Sequence, residues 1–232
     1  MNLTSFLQSN KRLLLRLGIS LVIFLAAASL FGAIADEVHE GDTTLFDQSV
    51  LRTINDTSTP ALNQFFLIVT EFGGVAFVTI VSTVLFCYLL YKKQRYNALL
   101  LGAGVGGAAL INYLAKITFV RERPDLWEQL ITETTYSFPS GHAAGSAALA
   151  ICVAALLWRT KWQVPALIVA PIYIVLIGFS RMYLGVHYLT DIFAGWILSI
   201  AWVTLVIALI YTRKSRREIR KNHTSTPSEP AV

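Results

Sequence analysis

Charge is what this sequence has least of. Only 14% of its 232 residues are Asp, Glu, Lys or Arg, against roughly 25% in soluble domains. With 55% apolar residues and a mean hydropathy of +0.58, that scarcity excludes an ordinary soluble domain. It excludes an intrinsically disordered chain too, because disorder requires low hydrophobicity. Cysteine is nearly absent. Cys87 and Cys152 both lie in apolar runs, so no disulfide framework is indicated and no redox compartment can be read from them.

What is abundant is uninterrupted apolar sequence. Residues 17–35, 72–91, 96–115, 140–158, 162–180 and 192–212 carry no Asp, Glu, Lys or Arg. Each run has about the 20 residues a helix needs to cross a hydrocarbon core. Six such runs cannot all be core helices of so short a chain. They predict an all-α polytopic membrane protein with six transmembrane helices. Residues 1–212 form the six-span domain, and residues 213–232 a basic and then disordered cytoplasmic tail. The first run has a rival reading. Ala33-Ile34-Ala35 resembles a signal-peptidase site behind the basic residues Lys11, Arg12 and Arg16. The run is longer than a usual signal core, so a retained helix is expected.

The net charge of +5 could suggest a nucleic-acid partner until the charges are placed. With the N-terminus inside, the inner segments hold fourteen of the nineteen Lys and Arg, and the outer segments hold Arg52, Lys116, Arg121, Arg123 and Arg181. Positive charge marks the cytoplasmic side. Both termini are therefore expected in the cytoplasm, in a cell (inner) membrane, and no nucleic-acid partner is expected. In the long outer connection, residues 36–71, Phe46, Val50, Leu51 and Ile54 recur at near-helical spacing, as do Leu62, Phe65, Phe66 and Val69. They predict short amphipathic extracytoplasmic helices lying on the outer membrane surface.

Two motifs mislead. Gly102, Gly104 and Gly107 match a dinucleotide fingerprint, but inside a membrane span with no preceding strand. Small residues there, Gly102 and Gly106 with Ala103, Gly107 and Ala108, read as close helix packing. Asn55-Asp56-Thr57 is a glycosylation sequon and is weak evidence by itself.

The informative residues are polar and recur at the outer helix ends. Lys116 ends the third span, with Arg121, Arg123 and Pro124 after it. Ser140-Gly141-His142 opens the fourth. Arg181 ends the fifth, and His187 and Asp191 open the sixth. Ionisable groups at a membrane boundary are costly unless paired or functional. Guanidinium forks and an ammonium suit phosphate oxygens. Ser140 and Gly141 would offer backbone N–H groups at a helix start. His187 and Asp191, spaced i, i+4, would share a helix face, so that the carboxylate orients one ring nitrogen and leaves the other free to attack. The cationic site would repel a divalent metal. The set describes metal-independent phosphoryl transfer, with no cofactor.

At these residues the sequence resembles the phosphatidic acid phosphatase type 2 family. Lys116, six residues, Arg123-Pro124 is similar to its first signature, Pro139-Ser140-Gly141-His142 to its second, and Ser180-Arg181, five residues, His187, three residues, Asp191 to its third. The motif region is 116–191. The resemblance implies that His187 attacks phosphorus and forms a phosphohistidine, that Asp191 orients it, and that His142 protonates the leaving oxygen. It implies that Lys116, Arg123 and Arg181 hold the phosphate with Ser140 and Gly141. Arg121 is outside the motif, and reads either as a further headgroup contact or as a loop charge paired with Glu122 or Asp125. Tyr183 and Tyr188 read as packing or interfacial aromatics. The family also contains soluble vanadium-dependent haloperoxidases, which six spans argue against. Membrane members imply a phospholipid or isoprenyl (pyro)phosphate substrate, such as phosphatidate, phosphatidylglycerophosphate, diacylglycerol pyrophosphate or undecaprenyl pyrophosphate. A lipid-to-lipid phosphotransferase could use the same site. A non-catalytic anion or lipid transporter would explain the cations but not the histidines and Asp191.

Overall fold

The computed structural model describes residues 3–224, and among them every regular element is an α-helix. These are α1 (Leu3–Glu40), α2 (Thr44–Asn55), α3 (Pro60–Glu71), α4 (Val75–Tyr91), α5 (Arg95–Phe119), α6 (Gly141–Leu157), α7 (Gln163–Tyr183) and α8 (Leu189–Thr224). The chain is a multi-pass membrane protein by its surface. Large apolar side chains such as Val22, Ile80, Val84, Val169 and Ile172 are more than half exposed, as lipid-facing positions must be.

The count of six spans is less direct. Residues Leu17–Glu40 of α1, all of α5 and α7, and Leu189–Arg213 of α8 are each long and apolar enough to cross a bilayer. Helices α3 and α4, bent by 40° at their junction, pass together as one more, and α6 is a shorter apolar helix of 17 residues. Helix α1 continues unbroken through Ala33-Ile34-Ala35 and packs along α8. The basic stretch that the sequence assigned to a tail extends α8 to Thr224, and the rest of the expected disordered tail lies outside the described residues.

Helix α6 is the hub. It packs on α5, α7 and α8, and it can do so because its residues are small: Ala143, Ala144, Ser146, Ala147, Ala148, Ala150 and Cys152 are all buried. Close approach is mutual. A Cβ on Gly104 would stand 2.4 Å from Cys152 Sγ, and one on Gly107 2.3 Å from Trp202 Nε1. The glycine-rich stretch is thus a packing surface, as read, with a Cβ on Gly102 also only 3.1 Å from Phe86, whereas Gly106 meets nothing within 4 Å.

Helices α2 and α3 form as expected, with Thr59 capping α3 through its hydroxyl and Pro60 at the first position. They do not simply lie on the membrane. Phe66 and Val69 of α3 pack with Ile177 and Tyr183 of α7. In α2 the expected stripe holds at Leu51, which is fully buried, and at the half-buried Val50 and Ile54, but Phe46 is 59% exposed and Asp47 is buried beside it. Both helices cover the end of the bundle where α5 and α7 finish and α6 and α8 begin.

Candidate active site

Four local structures deliver the polar residues to that end. Helix α5 carries Lys116 in its last turn and stops at Val120, which takes a left-handed conformation (φ +49°) and turns the chain into a loop over residues 121–139. Helix α6 starts at Gly141 with Ser140 as N-cap, its hydroxyl accepting from the Ala143 N–H. Helix α7 ends with Arg181 in its last turn. A tight turn then leads into α8 through Gly185 (φ +73°), where any Cβ would also strike the Trp127 ring at 2.9 Å.

The α6 and α8 starts are joined. The Ser140 N–H donates to the Asp191 carbonyl at 3.0 Å. A Cβ on Gly195 would come within 2.7 Å of the Ser140 carbonyl oxygen, so glycine lets the two helix N-termini meet.

His187 and Asp191 pair, but not as two residues on one helical face. His187 precedes α8 and Asp191 lies in its first turn. The turn closes through the Tyr188 N–H, which donates to Asp191 Oδ2 at 2.9 Å, and His187 Nδ1 lies 3.2 Å from the same oxygen. The Ser137 hydroxyl donates to Oδ2 as well. On the other side of the ring, Arg123 Nη1 lies 3.2 Å from Nε2. Arginine can only donate, so Nε2 carries the lone pair and Nδ1 the hydrogen. Burial, and then the positive charges of Arg123, Arg181 and Lys116, push the His187 pKa well below its ordinary 6.5. Burial and these charges disfavour the imidazolium, and the Nε2 lone pair is turned toward Arg123.

The cations Arg123, Arg181 and Lys116 stand around the same imidazole. Arg123 also donates from Nε to the Thr135 carbonyl (2.7 Å) and from Nη1 to the Val186 carbonyl (2.8 Å). Arg181 is 1% exposed, donates to Thr70 Oγ1 at 2.7 Å, and has a buried Nε with no partner among the described residues. Lys116 Nζ donates to the carbonyls of Tyr136 and Ser137. His142 sits in the first turn of α6, its Nε2 3.7 Å from where a Cβ of Gly74 would be.

Two acids that the sequence did not single out complete the site. Glu133, from the loop, bonds Arg181 and lies 3.6 Å from Arg123. Its carboxylate stands between the two arginines. Asp47, from α2, bonds Arg121 at 2.8 Å. Arg121 is paired with Asp47 and Asp191, not with Glu122 or Asp125 as one sequence reading had it. Asp47 had a legible signal, an acid three and four residues before Val50 and Leu51 on the apolar stripe. Glu133 had none. Tyr183 is a packing residue, stacked on Phe66 with ring centroids 4.3 Å apart and donating to Asn63 Oδ1 at 2.7 Å. Tyr188 lies under the Arg121 guanidinium, 4.1 Å from its ring centroid.

Comparison with known proteins bears on the family and the fold. The family described as PAP2 superfamily matches residues 97–215. The chain is 28% identical over 181 residues to phosphatidylglycerophosphatase B of Bacillus subtilis, covering 76% of this chain and 89% of that one. It is 28% identical over 193 residues to an undecaprenyl-diphosphatase of Sulfolobus acidocaldarius, covering 81% and 87%. Among solved structures, the transmembrane PAP2 type phosphatidylglycerolphosphate phosphatase from Bacillus subtilis superposes with a TM-score of 0.76 at 26% identity, over 82% of this chain and 96% of that one.

Proposed function

The chain belongs to the PAP2 superfamily, in its branch of multi-pass membrane phosphatases, and from that premise we propose that it hydrolyses a lipid phosphate or pyrophosphate through a phosphohistidine on His187. One observation carries the reading. His187 holds its Nδ1–H toward Asp191 and turns its Nε2 lone pair toward Arg123, beside Arg181 and Lys116. A phosphate seated among these cations puts phosphorus within reach of Nε2. The Nε2 lone pair forms the N–P bond as the bond to the lipid oxygen breaks, and His142 supplies the proton that the leaving oxygen needs. Water, deprotonated by His142, then breaks the N–P bond and releases inorganic phosphate. Asp191 balances the charge on the imidazole in both steps. The orphan Nε of Arg181 and the N–H groups at the α6 start, behind Ser140 and Gly141, are the further donors for the phosphate oxygens.

The span count and orientation belong to this reading. Taking α3 with α4 as one crossing and α6 as another gives six, and the fourteen inner Lys and Arg put both termini in the cytoplasm. The site then faces the extracytoplasmic side, where a lipid headgroup can enter with its tails still in the bilayer. Substrates of the classes named for the relatives, phosphatidylglycerophosphate and undecaprenyl diphosphate, fit that entry.

The direct test is phosphate release by the purified protein in detergent, across a panel of lipid monophosphates and pyrophosphates, in excess EDTA. At least one lipid should be turned over at an undiminished rate. Activity lost in EDTA and restored by a divalent ion would overturn the metal-independent route. Product analysis for a phosphorylated acceptor lipid separates hydrolysis from transfer between lipids.

Glu133 makes a second expectation. Its carboxylate and the substrate phosphate compete for Arg181 and Arg123. Glu133→Gln should therefore bind inorganic phosphate about 3–10-fold more tightly, the size of one partly solvated charge interaction. Measuring its inhibition constant checks this; an unchanged or weaker constant means that the carboxylate does not contest the seat.

A further inference from the structure

Asp47 is a carboxylate where α2 should bury an apolar side chain. It is fully buried, and a buried charge is strongly unfavourable unless paired and hydrogen-bonded. Here it is both. Oδ1 accepts the Thr190 N–H at 3.1 Å, and Oδ2 accepts the Thr190 hydroxyl at 2.5 Å and Arg121 Nη2 at 2.8 Å. Arg121 in turn donates from Nη1 to the Thr190 hydroxyl at 2.8 Å and to Asp191 Oδ1 at 2.6 Å.

These contacts form one line: Asp47, Arg121, Asp191, His187. They divide the work of the Asp191 carboxylate. Arg121 occupies Oδ1, which leaves Oδ2 for His187 Nδ1, the Ser137 hydroxyl and the Tyr188 N–H. They also fix the backbone, because Asp47 takes the amide of Thr190, the residue just before Asp191 in the first turn of α8. Both Nη groups of Arg121 are committed to this network, and its plane is stacked on Tyr188. That leaves it poorly placed to hold a headgroup.

We propose that Asp47 and Arg121 are positioning residues that hold Asp191 in the orientation from which it directs His187. This rests on His187 being the nucleophile. Helix α2, far from the three motifs in sequence, thus becomes part of the catalytic assembly, and the arrangement of the imidazole depends on α2 docking against α8.

Asp47→Asn tests this, because it keeps the shape and the acceptor for Thr190 and removes the charge that holds Arg121. Arg121→Lys, which keeps the charge and loses the fork, is the second variant. With a short-chain lipid phosphate in detergent, each should lose about 10–100-fold in kcat, as expected when a group supporting a catalytic side chain is loosened. KM and the inhibition constant of inorganic phosphate should stay within about threefold. In an Asp191→Asn background, adding Asp47→Asn should cost less than about threefold more, because the residue it positions is already disabled. Three outcomes overturn the proposal: inorganic phosphate weakening in step with kcat in Arg121→Lys, a full multiplicative loss in the Asp191→Asn background, or a lowered melting temperature with kcat unchanged. Full activity in His187→Asn would instead remove the reading on which the proposal rests. Wild-type rates in Asp47→Asn with an inactive His187→Asn would remove the proposal alone.

Discussion

His187→Asn should abolish lipid phosphate hydrolysis, with kcat/KM falling by at least about 10³-fold, while the protein remains folded. The loss is that large because the proposed route has no second nucleophile: removing the atom that forms the covalent bond removes the step itself. Asparagine is the appropriate replacement. It keeps an amide donor near Asp191 Oδ2, so that the carboxylate is not stranded, and it removes Nε2. The wild-type ring suits the task through its surroundings. It is 1% exposed, and burial together with Arg123, Arg181 and Lys116 keeps it neutral well below pH 6.5. Since kcat/KM reports on the free enzyme, protonation of His187 should contribute no acid limb near pH 6.5. Initial rates in detergent, with melting temperature as the folding control, decide the matter. An acid-quenched reaction with phosphorus-labelled lipid should also leave protein-bound label in the wild type and none in the variant. A rate within tenfold of wild type would mean that another group attacks phosphorus.

What the sequence could show was set by chain distance. The three motif stretches sit at helix ends, and alternating helices bring those ends together, so Lys116, Arg123, Arg181, His142, His187 and Asp191 were legible together. The His187–Asp191 pair was found by an i, i+4 argument whose geometry is different in the fold: His187 is outside the helix, and the Tyr188 amide closes the turn. Asp47 and Glu133 come from α2 and from a loop that also contains Glu122, Asp125 and Glu128. Which of those acids turns inward is decided by the arginines it meets, and spacing carries no record of that. The same limit bears on the close-packed glycines. The four-residue rule that chose Gly102 with Gly106 is half met: a Cβ on Gly102 would stand 3.1 Å from Phe86, but Gly106 meets nothing within 4 Å, and the closest approaches, at Gly104 and Gly107, are set by Cys152 and Trp202 of other helices.

Arg181→Lys should lower kcat/KM by about 10²–10³-fold even though its charge is kept, the loss typical of one preorganised donor at a developing oxyanion. The reason lies in the shape of the guanidinium. Arg181 uses Nη1 on Thr70 of α3 and Nη2 on Glu133 of the loop, and keeps a buried Nε with no partner among the described residues. One planar group thereby ties two elements together and keeps a third donor uncommitted for the proposed phosphate. An ammonium has three donors but no fixed plane, so it can hold Thr70 and Glu133 or reach a phosphate oxygen, without the fork that does all three. The charge shared over phosphoryl oxygens in the transition state makes that aim matter more to kcat than to KM. Glu133 provides the control. If Arg181 served chiefly to neutralise Glu133, then the double variant Arg181→Lys with Glu133→Gln would recover most of the lost rate, since no carboxylate would remain to be paired. If Arg181 serves the phosphate, the double variant stays as slow as Arg181→Lys while its inorganic phosphate affinity rises with the removal of the competing carboxylate. Steady-state rates and phosphate inhibition measured on the four proteins of this cycle separate the two, and recovery to within about threefold of wild type would show that Arg181 is a structural ion-pair partner and not a substrate ligand.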